Sequence, residues 1–132
     1  MLRWFFSRKA AAPPLRGAPL QAREKSYTAQ SGYVYSYFYC GFRNHEEGTT
    51  EFVFKISADR KNWREAAVRQ EHACMSAWEH ANQRTFTAAE RYAIAKMALF
   101  QAFDECEAPD AMNAVLKVGL AEIGAIVETL GL

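Results

Sequence analysis

A run of tyrosines at every second residue constrains most strongly what this chain can fold into. Residues 33–43 read YVYSYFYCGFR, with a tyrosine at positions 33, 35, 37 and 39. Because successive side chains of a β-strand point to opposite faces, this aromatic period of two predicts a strand over 33–43. Eight of the 18 aromatic residues lie between Tyr33 and Phe54, so we expect the folded part to begin here.

A second strand follows a polar loop. The segment NHEEGTT separates the first strand from EFVFKIS, in which Phe52, Phe54 and Ile56 alternate with smaller or polar residues. Two alternating segments joined by a short glycine-containing loop predict an antiparallel β-hairpin.

The next segment allows two interpretations. Asn62 and Glu65 have the spacing of a capping box and precede an alanine-rich run, which favours a helix that starts at Asn62. The alternative is a third strand at 64–69, reached by a turn at 59–62, with the helix starting near Glu71.

The clearest helix begins after Thr87. Thr87 and Glu90 form a second capping-box pattern, and residues 91–103 leave little polar surface, which predicts a central and largely buried helix. We expect Ala98 and Ala102 to be buried within it.

The C-terminal tail again has two interpretations. It is either one helix from about Asp110, or a short strand NAVLKV that ends at Gly119 and is followed by a helix at 120–130. Together these elements predict an α+β fold, in which an N-terminal antiparallel hairpin, extended to three or four strands in one alternative, carries two or three helices on one face.

The N-terminal part of the chain differs in charge from the rest. Residues 1–32 contain six basic residues and one acidic residue, which gives +5 in a chain whose net charge is +1. Three of the four prolines also lie there, at 13, 14 and 19. We therefore predict a basic, flexible arm at 1–30, with 10–30 as a linker, and a single compact α+β domain at 31–132.

The first nine residues, MLRWFFSRK, form an amphipathic basic segment. A secretory signal is excluded because Arg8 and Lys9 interrupt the apolar stretch after a few residues. A surface anchor on an anionic membrane, an organellar transit peptide and a disordered terminus remain as interpretations. The residues predicted to contact a membrane or another anionic surface are Leu2, Arg3, Phe5, Phe6, Arg8 and Lys9.

The sequence holds no recognisable catalytic or metal-binding pattern. The three cysteines lack CxxC spacing, which favours free thiols and a reducing compartment, so we expect a cytoplasmic protein that can lie at a membrane surface. His72, Cys74 and His80 would point to different sides of a helix, and no glycine-rich phosphate loop is present. We therefore expect neither metal nor cofactor, and the sequence favours a non-enzymatic role, although an active site assembled from distant positions stays open.

The tyrosine strand supplies the candidate binding site. If Val34, Phe38 and Cys40 face the core, the tyrosines stand on an open sheet face on which a peptide or bases could stack. Lys96 is a further candidate, because its stem can lie along the rings of Tyr92 and Phe100. The predicted binding residues are Tyr33, Tyr35, Tyr37, Tyr39 and Lys96.

Two functions follow from this pattern. We predict a small interaction or accessory module that binds a protein or peptide partner, either another protein or a second copy, through its sheet face. The alternative is a weak single-stranded nucleic-acid binder that combines the tyrosine platform with the basic arm, although the acidic body opposes it.

Overall fold

The computed structural model describes residues 12–132, in which five strands form one mixed sheet and three α-helices pack against it. The strands are β1 (Lys25–Thr28), β2 (Val34–Asn44), β3 (Thr49–Ser57), β4 (Arg64–Glu71) and β5 (Val115–Val118). The helices are α1 (His72–Asn82), α2 (Ala88–Glu105) and α3 (Leu120–Leu130), with a 3₁₀ turn at Pro109–Ala111. This arrangement confirms the predicted α+β class.

The strands lie side by side in chain order. The three pairs formed among β1 to β4 are antiparallel, whereas β5 follows α1 and α2 in the chain and pairs parallel with β4. The predicted hairpin is therefore part of a larger sheet. One face of this sheet packs against the helices, and a bulge between Tyr39 and Gly41 interrupts the pairing of β2 with β3.

The segment from Arg64 to Glu71 is a strand, so the favoured helix from Asn62 is wrong and the alternative strand is confirmed. The Asn62 N–H does not start a helix but donates to the Asp59 carboxylate at 2.8 Å, within the turn before β4. Alternate residues of β4, Ala66, Val68 and Gln70, are buried. Pairing with β3 and burial of this face outweigh the local helix propensity of an alanine-rich run.

The capping box of α2 is present as predicted. The Thr87 hydroxyl accepts from the Glu90 N–H at 3.1 Å, and the Glu90 carboxylate accepts from the Thr87 N–H at 3.0 Å. Ala102 is buried as expected, whereas Ala98 is only half-buried. In the tail, the strand alternative is confirmed, because β5 and α3 are separate elements divided by Gly119.

Part of the predicted arm is ordered against the sheet. Arg16 exchanges two backbone hydrogen bonds with Phe42, at 2.7 and 2.8 Å, and Lys25–Thr28 forms the edge strand β1. Gly41 has φ +124°, and a Cβ atom there would lie 2.5 Å from the Arg16 carbonyl oxygen. The flexible-linker interpretation of 10–30 is therefore wrong at these positions, since backbone pairing holds them on β2.

The predicted membrane contacts all fall at positions 2–9 and lie outside the described residues. Among residues 12–132, no helix combines the length and the apolar character that a bilayer crossing requires. The surface-anchor interpretation of the N-terminus stays a prediction.

Candidate functional site

The tyrosine strand presents its tyrosines to the helices. Tyr35 and Tyr37 are 1% and 3% exposed. The Tyr35 ring stacks on Phe103 at 4.1 Å between centroids, and the Tyr37 ring meets the edge of Phe100 at 5.6 Å. The predicted open tyrosine platform is therefore wrong for these two residues, which belong to the core.

The predicted alternation is correct, but the buried side is the opposite one. Val34, which we expected to face the core, is 51% exposed, and Phe38 is only half-buried. The tyrosine rings offer the larger apolar area, and the aromatic residues of α2 provide a surface on which they stack. Phe100 and Phe103 are three residues apart and so share one face of the predicted helix. This aromatic helix face was the sequence signal that the tyrosine side of β2 is the buried one.

Tyr39 lies at the edge of the helix-covered face. Its ring is tilted against Tyr92 at 4.7 Å, and burial raises the pKa of Tyr39 to about 12. Both rings line an apolar cleft of about 510 Å³ between the end of β2 and the start of α2, and Gly17 of the arm forms part of its wall. The ordered part of the arm therefore narrows this cleft.

Lys96 lies over a different pair of rings from the predicted pair. Its Nζ is 5.9 Å from the Tyr37 ring and 5.7 Å from the Phe100 ring. Burial lowers the pKa of Lys96, and the neighbouring Lys25 acts in the same direction. The predicted contact with Phe100 is present and Tyr37 takes the place of Tyr92, so Lys96 stabilises the aromatic core beside β1.

The opposite side of the sheet, which we call the open face, carries no helix within residues 12–132. Its central row consists of small or apolar residues in register across four strands: Gly41, Val53, Ala67 and Val115. Val53 is 1% exposed, yet it lies outside the core cluster under the helices. The sheet thus has a second, smaller apolar region on its open face.

Charged residues flank this central row. On one side the register aligns Arg43, Glu51, Arg69 and Lys117 across the sheet. Glu51 lies 3.5 Å from the Arg43 guanidinium and 3.9 Å from that of Arg69. Glu47 also pairs with Arg69, at 3.0 Å, so three basic residues of this rim face two carboxylates. The net excess of one positive charge is smaller than the basic footprint typical of a nucleic-acid binder.

On the other side of the central row, Phe38 aligns with Lys55 and Glu65. The Phe38 ring packs against Trp63, with centroids 5.1 Å apart and planes inclined by 44°. The favoured interpretation, a helix from Asn62, included Trp63, so its position beside the open face was missed. Trp63 alternates in step with Glu65 and Ala67 of β4, and this spacing was the signal that could have placed it on the open face.

A cavity of about 700 Å³, which we call the end cavity, opens where β2 begins, β3 ends and β4 begins. Its walls include two of the predicted tyrosines, Tyr33 and Tyr35, together with Trp63 and Arg64. The turn from β3 to β4 closes one side, and the 3₁₀ turn closes another. Trp63 therefore contributes both to the end cavity and to the edge of the open face.

The turn beside the end cavity is organised by Asp59. Its carboxylate accepts from the N–H groups of Asn62 and Lys61, each at 2.8 Å, and from the Asn62 side-chain amide and the Ser57 hydroxyl. The backbone donors, Asn62 foremost, hold the pKa of Asp59 below its usual range. Asp59 is therefore a fixed negative charge at the cavity rim.

The described residues contain no arrangement typical of covalent or metal catalysis. No three His, Cys, Asp or Glu side chains of residues 12–132 lie close enough together to hold an ion. Burial raises the pKa of the Cys40 and Cys106 thiols, which opposes a nucleophilic role. For Cys106, burial is the largest cause, ahead of Arg64, which lowers the pKa, and of the neighbouring Glu105, which raises it.

Comparison with known proteins adds no family assignment: no family model, curated protein or solved structure matches this chain.

Proposed function

We propose that this protein is a non-enzymatic interaction module that binds a partner protein through the open face of its sheet. The single observation that supports this is the apolar row at 41, 53, 67 and 115, which runs across the sheet between two flanks of charged residues. Gly41 and Val53 are already buried, so the row is accessible to a partner at Ala67 and Val115. An apolar centre with a charged rim is the usual organisation of a protein–protein interface.

The chemistry of the surface favours a protein over a nucleic acid. A partner that lays apolar side chains along the row would remove Val115, now 50% exposed, from water and complete the packing around Phe38 and Trp63. Bases would find no stacking platform at Tyr35 and Tyr37, because both rings are buried. The partner is therefore a protein surface or an extended peptide that presents apolar side chains.

Photo-crosslinking tests this proposal. A benzophenone amino acid replaces Lys55, which is exposed beside the apolar row, or Ala125, which is exposed on α3 and serves as the matched control. We expect position 55, and not position 125, to give a discrete adduct in cells that produce the protein. Mass spectrometry of the adduct then distinguishes a second copy of the chain from a different protein.

A second pair of variants links the adduct to the apolar row. Val115→Glu places a charge on the exposed edge of the row and should abolish the adduct, whereas Ala121→Glu, on the exposed side of α3, should not. Adducts of equal yield from positions 55 and 125, or an adduct that survives Val115→Glu, would refute binding through the open face.

A further inference from the structure

The edge of the sheet at β5 borders a narrow groove, which we call the edge groove. This space of about 210 Å³ contacts all four residues of β5 and, across from them, Glu122 of α3 and one face of α2. The α2 residues follow the spacing of a single helix face: Ala98, Gln101, Ala102 and Glu105. Pockets for small molecules hold roughly 300 Å³ or more, so the edge groove suits one side chain of a larger partner.

The edge groove runs along the backbone of β5. Successive side chains of a strand point to opposite faces, so a space that borders every residue from Val115 to Val118 lies beside the strand's edge. On its other side β5 pairs with β4, and no further strand among residues 12–132 pairs with it. The groove therefore gives access to backbone groups that the sheet leaves unpaired.

The register identifies these backbone groups. The Ala67 N–H donates to the Ala114 carbonyl oxygen at 2.8 Å, and Ala67 is the register partner of Val115. In a parallel ladder this pattern directs the N–H and C=O groups of Val115 and Lys117 away from β4 and toward the free edge. An extended peptide can complete the ladder there, which is the recognition mode known as β-strand addition.

Charge on the helix side of the groove determines which side chain suits it. α2 ends at Glu105 and holds no basic residue in its last turn, so this carboxylate adds to the negative end of the helix dipole. A second carboxylate, that of Glu122, accepts from the Gly119 N–H at 2.8 Å. Lys117, the basic residue among the described residues that line the groove, aligns with Arg69 on the open face. The helix side is therefore negative.

From these observations we propose that β5 receives an extended segment of a partner protein as a further strand, with a basic side chain of that segment in the edge groove. Backbone hydrogen bonds to Val115 and Lys117 hold the segment. The cationic head of the basic side chain lies beside Glu105, and its alkyl stem lies on Ala98, which the fold leaves half-buried. This site is separate from the open face, because Glu105 and Ala98 belong to the helix layer.

Nuclear magnetic resonance titration of the full chain tests the proposal with a synthetic peptide, acetyl-TVRVTV-amide, as the probe. This arginine peptide alternates valine with polar residues, as a half-exposed strand does. Two matched peptides change one property each: acetyl-TVEVTV-amide reverses the charge, and acetyl-TPRPTP-amide keeps the charge but cannot pair as a strand. We expect saturable binding of the arginine peptide and at least about tenfold weaker binding of the other two.

Hydrogen exchange locates the bound peptide. At a concentration of the arginine peptide about ten times its Kd, the amide N–H groups of Val115 and Lys117 should exchange about tenfold more slowly, since exchange then proceeds from the free fraction. The exposed amides of β1, at the opposite edge of the sheet, should not change.

Two substitutions at one position separate backbone pairing from side-chain effects. Lys117→Pro removes the N–H that points to the free edge and should abolish binding, whereas Lys117→Ala keeps this N–H and should bind the arginine peptide at least as tightly as the unaltered protein. Glu105→Gln should weaken binding about two- to fivefold, and Glu128→Gln, at an exposed acid on α3, is its matched control and should have no effect.

Several results would overturn the proposal: no saturable binding of the arginine peptide, equal binding of either matched peptide, slower exchange at β1 instead of β5, or a folded Lys117→Pro variant that binds like the unaltered protein. Should Lys117→Pro fail to fold, the proline peptide and the exchange measurement still decide the matter. The crosslink from position 55 is measured without these peptides, so failure here and failure of binding through the open face are distinguishable.

Discussion

Two tyrosines lie opposite each other in β1 and β2, and removing their hydroxyl groups should change the free energy of unfolding in opposite directions. Tyr27 and Tyr35 are register partners, and both rings lie against Phe103 of α2. The Tyr27 hydroxyl donates to the Asp104 carboxylate at 2.7 Å, whereas the Tyr35 hydroxyl has no partner among residues 12–132. Phenylalanine keeps either ring and removes only the oxygen.

The magnitudes follow from these contacts. Tyr27→Phe loses a hydrogen bond to a charged acceptor at a half-buried position and should cost about 1 to 2 kcal/mol. Asp104 keeps the backbone N–H of Gln30, at 3.0 Å, which limits the loss. Tyr35→Phe removes a buried group without a partner and should raise the free energy of unfolding by about 1 to 2 kcal/mol.

Urea denaturation measures both effects against the unaltered protein. The urea midpoints of the two variants should move in opposite directions. The slope of the free energy of unfolding against urea concentration should not change, because neither substitution alters the surface exposed on unfolding. In a thermal melt each kcal/mol corresponds to about 3 to 6 °C for a domain of this size. A loss of stability in Tyr35→Phe as large as that in Tyr27→Phe would show that the Tyr35 hydroxyl is paired after all.

Other positions give shorter tests. Gly41→Ala should cost about 1 to 3 kcal/mol because its φ is left-handed, and it should speed tryptic cleavage after Arg16 as the arm is displaced. Gly124→Ala, in open space within α3, should instead add about 0.5 to 1 kcal/mol, and equal effects of both alanines would contradict the contact with the arm. Thr87→Ala removes the N-cap oxygen of α2 and should cost about 1 kcal/mol, measured as a lower urea midpoint. The pKa of Asp59 is lowered in the fold, so its contribution to the free energy of unfolding is complete above about pH 4 and is lost as the pH falls below that value. Asp59→Asn should therefore make the urea midpoint depend less on pH in acid, and a variant with the same pH profile as the unaltered protein would refute this.

Local signals in the sequence were sufficient where an element depends on its own residues. The capping box of Thr87 and Glu90 located the start of α2, and the alternation of 33–43 located β2 to within a residue. Both patterns indicate backbone geometry, and that geometry depends on residues only a few positions apart in the sequence. The tail was ambiguous for the same reason, because a strand of four residues carries little local information.

Long-range packing decided the features that the sequence could not predict. The run after Asn62 has the composition of a helix, but β3 offers it an edge and the helix layer buries Ala66 and Val68, so it forms β4. The same applies to the tyrosines. Either face of β2 is apolar enough to be buried, and the rings of Phe100 and Phe103, more than 60 positions away, select one of them.

The end cavity was beyond sequence reasoning because its walls come from three separate parts of the chain, near Tyr33, near Asp59 and near Asp110. A domain selected for stability alone would pair the Tyr35 hydroxyl and fill the space beside Trp63. Unpaired buried groups and half-covered aromatic rings concentrate where proteins bind, since stability is given up at such sites. Tyr35→Phe therefore measures this cost directly, because the gain in the free energy of unfolding equals what the unpaired hydroxyl takes from the stability of the fold.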